Sequence, residues 1–178
     1  GQKTGFYLDQ RENRLAAAPL MRGRRVLDAF TYTGGFAIAA EKLGGAAEVL
    51  AVDRSAASLE IARRNAALNG CERIAFRRAK IAEALRELKA SGRRFDAIIL
   101  DPPKFARSRP GVPRALRAYR DINLLALQLL EADGVLVTCS CSGHVREEEF
   151  LSTLNEAAVE AGRRVRILER RGQSPDHP

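Results

Sequence analysis

Short apolar runs and stretches of helical period alternate along the chain. Residues 26–30, 48–53, 73–76, 95–100 and 135–138 read as strands, built mainly from Val, Ile, Leu, Ala and Phe. Between them, 36–43, 56–68, 81–89, 116–130 and 145–161 repeat apolar side chains at helical spacing. Ser55 stands where a helix N-cap is expected, and Asn69-Gly70 is a stop signal for that helix. Asp133-Gly134 reads as the turn into the fifth strand, and 164–169 as a sixth. Strands this apolar, each followed by a helix, predict a mostly parallel sheet buried on both faces. The expected fold class is therefore α/β, doubly wound and Rossmann-like. Its chemistry belongs at the carboxyl ends of the strands.

Length and composition narrow the class. A chain of 178 residues predicts one domain, 1–178, opening with an extended segment and a helix over 1–22. Hydrophobic residues make up 46%, too many for a disordered chain. No apolar run approaches the ~20 residues of a membrane span, and no signal-peptide pattern opens the chain. The start at Gly1 and the finish at Asp176-His177-Pro178 are those expected of a piece of a longer protein. Three cysteines cannot form a complete disulfide set, which points to a reducing, cytoplasmic setting. The formal charge is +8. A polyanion such as RNA accounts for it, since each neutralised phosphate releases counterions. Arg-rich composition without a partner is the bland alternative. No metal and no membrane enter the reading, and a homodimer is compatible with it.

The first strand runs into Phe30-Thr31-Tyr32-Thr33-Gly34-Gly35-Phe36. Glycines there let the backbone approach a ligand, and the following helix offers unpaired N–H groups. Asp53 ends the second strand about 20 residues on, where an acid accepts both ribose hydroxyls. Arg54 and Ser55 follow it. The loop lacks the G-x-G-x-x-G spacing of dinucleotide enzymes, so an adenosyl ligand without a pyrophosphate fits better. The fourth strand ends in Asp101-Pro102-Pro103-Lys104-Phe105. Two prolines fix the backbone and remove two donors, leaving Asp101 and nearby carbonyls to read the polar edge of a base.

Cys139 and Cys141 follow the fifth strand, in Thr138-Cys139-Ser140-Cys141-Ser142-Gly143. C5 of a cytosine is a poor nucleophile until a thiolate adds to C6 and makes C5 enamine-like. A thiol with pKa about 8.5 needs positive or dipolar surroundings to ionise, which Lys104 and the next helix N-terminus could supply. Strand alternation would put both thiols on one face, so spacing does not separate them. Cys71, in the Asn69-Gly70 turn, has no such setting and reads as structural.

These motifs, with Lys3 to Arg11 and Tyr119-Arg120-Asp121-Ile122-Asn123, resemble the RlmI-type 23S rRNA (cytosine-5) methyltransferases. The resemblance covers essentially the whole chain. It implies a class I methyltransferase fold, S-adenosylmethionine (SAM) as donor and a cytosine of large-subunit rRNA as acceptor. It implies Cys141 as nucleophile, Asp101 and Lys104 beside it, and Gln10 near the cofactor. It also implies an N-terminal RNA-binding PUA domain, absent here, and one or more further sheet strands beyond this chain. Two departures stand out. The family usually has an aromatic residue at Cys139, and Thr138-Cys139-Ser140 resembles the nucleophile run of another RNA cytosine-5 family. Where the family has an acidic pair against the adenine, this chain reads Arg78-Ala79-Lys80, which can only donate from its side chains. Weaker SAM binding is expected from that loss.

Arg107, Arg109, Arg114, Arg117 and Arg120 crowd the segment after Asp-Pro-Pro-Lys, as expected of a phosphate-binding surface around a flipped-out base. A solvated basic face is the plainer reading. Two rival functions use the same motifs. One is methylation of an exocyclic amine or ring nitrogen of RNA, which needs no cysteine. The other is a non-catalytic RNA-binding domain with a decayed SAM site.

Overall fold

Alternate residues of the first strand serve two different cores. In the computed structural model, which describes residues 10–172, Val26 packs with Ala51, Ala97 and Ile99 under the first two helices. Leu27 and Ala29 face the other way, with Ile98, Leu100 and the later helices. Period-two alternation thus gives a sheet covered on both faces, as the apolar strands predict.

The element order is α1 (Arg11–Ala17), a 3-10 turn (Ala18–Met21), β1 (Arg25–Ala29), α2 (Gly35–Lys42), β2 (Glu48–Asp53), α3 (Ala56–Leu68), β3 (Ile74–Arg78), α4 (Ile81–Ala90) and β4 (Phe95–Leu100). A second 3-10 turn (Arg109–Gly111), α5 (Val112–Leu129), β5 (Leu130–Thr138) and α6 (Glu147–Glu160) complete it. The five strands run in the order β3-β2-β1-β4-β5, all parallel. The order reverses direction at β1, which is where such sheets open a crevice at their carboxyl edge. Register brings that edge into line. Ala29 pairs with both Val52 and Leu100, and Leu100 with Thr138. Phe30, Asp53, Asp101 and Cys139, one residue further on, therefore stand side by side.

Polar ties fix the opposite edge and the flank. Arg25 holds Asp96 through Nε (2.9 Å) and Nη2 (2.8 Å), and the same Nη2 reaches Glu131 at 2.9 Å. That pairing joins the amino ends of β1, β4 and β5 and holds the Asp96 carboxyl down at about 2. Glu41 on α2 is buried, and its carboxylate accepts the N–H groups of Glu72 and Arg73 at the entry to β3.

Element ends shift by one or two residues in several places, and three differences from the sequence expectation are larger. Helix α5 starts at Val112 rather than 116, with Pro113 inside its first turn. Proline is tolerated there because that N–H has no helical partner in any case. Asp133-Gly134 lies within β5, where a register shift opposite Phe95 and Ala97 absorbs the turn and Asp133 takes φ 59°. Residues 164–169 form no strand. Val165, Ile167 and Leu168 are exposed, and the segment is held at its ends, by Arg163 on the Leu130 carbonyl (3.0 Å) and Arg171 on Asn13 (3.2 Å). An alternating sequence forms a strand only where a ladder partner is present. Residues 1–9, which carry most of the Lys3 to Arg11 run, lie outside the described residues, as does His177.

Candidate active site

The loop after β1 is shaped from below by a carboxylate. Asp28 is buried, and one of its oxygens accepts from Thr31 Oγ1 (2.6 Å) and the Ala37 N–H (3.0 Å). Burial pushes its pKa up to about 6, and the neighbouring Asp53 pushes it the same way. Above it the chain takes three positive φ angles, at Phe30 (71°), Tyr32 (52°) and Gly34 (87°). Gly34 is fixed by two constraints. Its backbone is left-handed, and a Cβ there would sit 3.3 Å from the Ala62 Cβ of α3. Asn65 of α3 donates to the Thr33 carbonyl at 3.0 Å and holds the far side of the loop. The Thr33 hydroxyl is buried without a hydrogen-bond partner among the described residues.

Asp53 faces this loop from β2. Its two oxygens accept the N–H groups of Tyr32 (3.0 Å) and Ser55 (2.8 Å), one each, so each keeps a lone pair for a ligand. Ser55 caps α3 through the Ser58 N–H (3.1 Å), as expected. Arg54 is exposed, and its carbonyl accepts from Arg78 Nε. Phe36 is buried in the core beneath the loop and Gly35 opens α2.

Across β4, Asp101 accepts from Gln10 Nε2 at 3.4 Å. Asn13 fixes that amide by donating to Gln10 Oε1 at 2.8 Å. Gln10, expected near the cofactor, thus reaches the site through Asp101. Cys139 still belongs to the sheet, with its N–H on the Leu100 carbonyl at 2.8 Å. Burial and the Asp101 charge push its thiol well above the usual cysteine range. Cys141 is exposed, and its Sγ donates to the Pro102 carbonyl at 3.4 Å. The two thiols therefore occupy different environments. Lys104 is exposed on the adjoining turn, whose next two N–H groups, of Phe105 and Ala106, donate to Ser142 Oγ at 3.1 Å.

The arginines divide. Arg107, Arg109, Arg114 and Arg117 are exposed along the loop and the start of α5, with Arg109 donating to the His144 carbonyl at 3.0 Å. Arg120 is turned to α6 instead, where it pairs with Glu160 and Glu156. Lys80 is exposed and pairs with Glu83 at 2.9 Å. Sequence reasoning missed Asp28, Asn65, Tyr119 and the serines beside Cys141 as site-building residues. The Asp28 signal was there to use: an acid in mid-strand among apolar neighbours must find partners when buried.

The match to known proteins is extensive. The family model described as S-adenosylmethionine-dependent methyltransferase matches residues 1–178. The chain belongs to that family. It is 52% identical over 180 residues to the ribosomal RNA large subunit methyltransferase I of Aeromonas hydrophila, covering all of this chain and 45% of that protein. The corresponding protein of Serratia proteamaculans is 47% identical over the same span. The chain thus spans about half the length of these relatives. Among solved structures, TrmN from Thermus thermophilus is 29% identical with a TM-score of 0.61, covering 80% of this chain and 40% of that one. A methyltransferase solved in complex with SAH has the same fold, at 24% identity and a TM-score of 0.77, over 88% of this chain and 42% of that one.

SAM is the family's cofactor, and the residues of this site fit it. SAM carries a sulfonium and an ammonium. Asp28, Asp53 and Asp101 place three carboxyl groups at the carboxyl ends of β1, β2 and β4, in a chain whose overall charge is positive. Asp53 has lone pairs for the ribose diol, and the buried Thr33 hydroxyl is an orphaned polar atom in the loop wall. At Lys80, where the resemblance leads one to expect an acid against the adenine, the side chain presents no acceptor. Among the described residues no group of three His, Cys, Asp or Glu side chains could hold a metal, and no helix is long and apolar enough to cross a membrane.

Proposed function

We propose that this chain is a single methyltransferase domain that methylates C5 of a cytosine in large-subunit ribosomal RNA, in the cytoplasm, through a covalent adduct on Cys141. The names of the relatives support the substrate class. The observation that carries the chemistry is the contrast between the two thiols. Cys141 is exposed against the Asp101-Pro102-Pro103 turn, while the Cys139 thiol is desolvated beside the Asp101 carboxylate. A nucleophile must reach its electrophile as a thiolate, and exposure of Cys141 beside the Asp101-Pro102-Pro103 turn supports it over Cys139 for that role.

Bound SAM supplies an activated methyl group on a sulfonium. Asp53 and the Thr33-Gly34 wall orient its adenosine end. Cys141 Sγ leaves the Pro102 carbonyl and adds to C6 of the base, which turns C5 into a carbon nucleophile. Asp101, oriented by Gln10 and Asn13, accepts from the protonated N3 side of the addition intermediate. C5 then takes the methyl group as the cofactor leaves as its neutral thioether, the C5 proton passes to a base from solvent, and departure of the thiolate restores the aromatic ring. Lys104 and the exposed arginines 107, 109, 114 and 117 meet the phosphates of the flipped nucleotide. Mass-spectrometric mapping of ribosomal RNA from cells with and without the full-length protein tests this. A 5-methylcytosine that disappears with the protein is expected; a lost modification on an amine or ring nitrogen would overturn the assignment.

A further inference from the structure

The Tyr-Arg-Asp-Ile-Asn run of α5 carries a tyrosine whose hydroxyl ends beside Cys141. Tyr119 is fully buried, with its ring 4.8 Å from Phe105 and 5.1 Å from Phe150. Its hydroxyl lies 3.1 Å from both Ser140 Oγ and Ser142 Oγ, the two residues flanking Cys141. Ser142 Oγ already accepts the N–H groups of Phe105 and Ala106, which fills its lone pairs. Its own proton is thus left for the Tyr119 oxygen, and Ser140 Oγ is the phenol group's second hydrogen-bond partner. One buried oxygen thus ties down both neighbours of the cysteine. Through Ser142 it also ties the turn that carries Lys104.

We propose that the Tyr119 hydroxyl is a positioning group that fastens the Cys141 loop to the Asp101-to-Phe105 turn and so sets the attack geometry of the thiol. The proposal rests on Cys141 being the nucleophile. Burial of the ring would need only a phenylalanine. The hydroxyl is the part that reaches both loops, and misplacing a reacting atom by about 1 Å can cost on the order of 100-fold in rate.

The test is Tyr119→Phe, which keeps the ring contacts, measured beside Cys141→Ala on unmethylated large-subunit RNA. Expected for Tyr119→Phe is a fall of roughly 10- to 100-fold in single-turnover methyl transfer and in the rate of covalent trapping on 5-fluorocytosine RNA. SAM affinity by calorimetry stays within about twofold, a split that general loosening of the fold would not produce. Ser140→Ala removes one of the two bonds at an exposed position and is expected to give a smaller loss in the same direction; it serves as the test should Tyr119→Phe not fold. Wild-type transfer rates in the folded variant, with Cys141→Ala inactive, would overturn the positioning role alone. Activity in Cys141→Ala would overturn the nucleophile assignment and the proposal together.

Discussion

Replacing Asp28 by Asn tests whether the loop floor is built on a desolvated acid. The carboxyl group titrates at about 6 in the fold against an ordinary value of 3.8, chiefly because it is buried. Between those values the folded state binds more protons than the unfolded chain, so stability falls as pH rises. The contribution is fully present below about pH 4 and lost above about pH 6. That difference corresponds to about 3 kcal/mol, taken as an upper bound for a single site. Asparagine can keep one oxygen towards Thr31 and Ala37, the two donors that share a single Asp28 oxygen. It carries no charge to desolvate. Urea unfolding of both proteins from pH 4 to pH 7 reads the difference. The wild type should lose stability relative to Asp28→Asn across that window, by up to about 3 kcal/mol. Below pH 4 other groups take over, since Asp96 is held near 2 and its pairing with Arg25 fails only as that carboxyl protonates. Parallel stability curves between pH 4 and pH 7 would refute a desolvated Asp28.

Three further outcomes follow from the geometry. Gly44→Ala should destabilise the fold by about 2 kcal/mol or more in thermal or urea unfolding, because its Cβ would meet the Ala18 carbonyl at 2.3 Å and the Ala40 carbonyl at 2.6 Å. Asp53→Ala removes the acceptor for ribose and for the Tyr32 and Ser55 N–H groups, and should weaken SAM binding by roughly 10- to 100-fold in calorimetry. Replacing Arg107, Arg114 and Arg117 by Ala should reduce the salt dependence of RNA binding by about 0.7–0.9 in logarithmic slope for each phosphate no longer neutralised. Arg120→Ala should leave that slope unchanged, since Arg120 faces the α6 acids.

The sheet was legible because its strands are short, apolar and each followed by a helix, which admits few other arrangements. The approach of the loop after β1 to the end of β2 was legible for a related reason. Pairing of β1 with β2 brings the loop after β1 to Asp53, where the Tyr32 N–H meets its carboxylate at 3.0 Å, as the spacing of about 20 residues anticipates. Features made by distant partners were not legible. Nothing in the local sequence of Tyr119 tells that its hydroxyl meets Ser140 and Ser142. The two thiols looked equivalent because alternation places residues 139 and 141 on one face. That rule holds only within a ladder, and β5 ends at Thr138. Cys139 keeps one sheet hydrogen bond and is half-buried, while Cys141 lies beyond it and is exposed. Arg120 lies near the loop arginines in sequence, and helix α5 carries its side chain to the acids of α6. The segment 164–169 has the alternation of a strand and has no ladder partner among the described residues.

Everything proposed about the chemistry turns on Cys141 forming a bond to the base during transfer. RNA containing 5-fluorocytosine tests this directly, because fluorine at C5 cannot leave as a proton does and the adduct persists after methylation. Incubated with SAM, the wild type and Cys139→Ala should both give a denaturation-resistant protein–RNA species, with the link mapped to Cys141 by peptide mass spectrometry, and Cys141→Ala should give none. A link mapped to Cys139, or methyl transfer to RNA by Cys141→Ala, would contradict it.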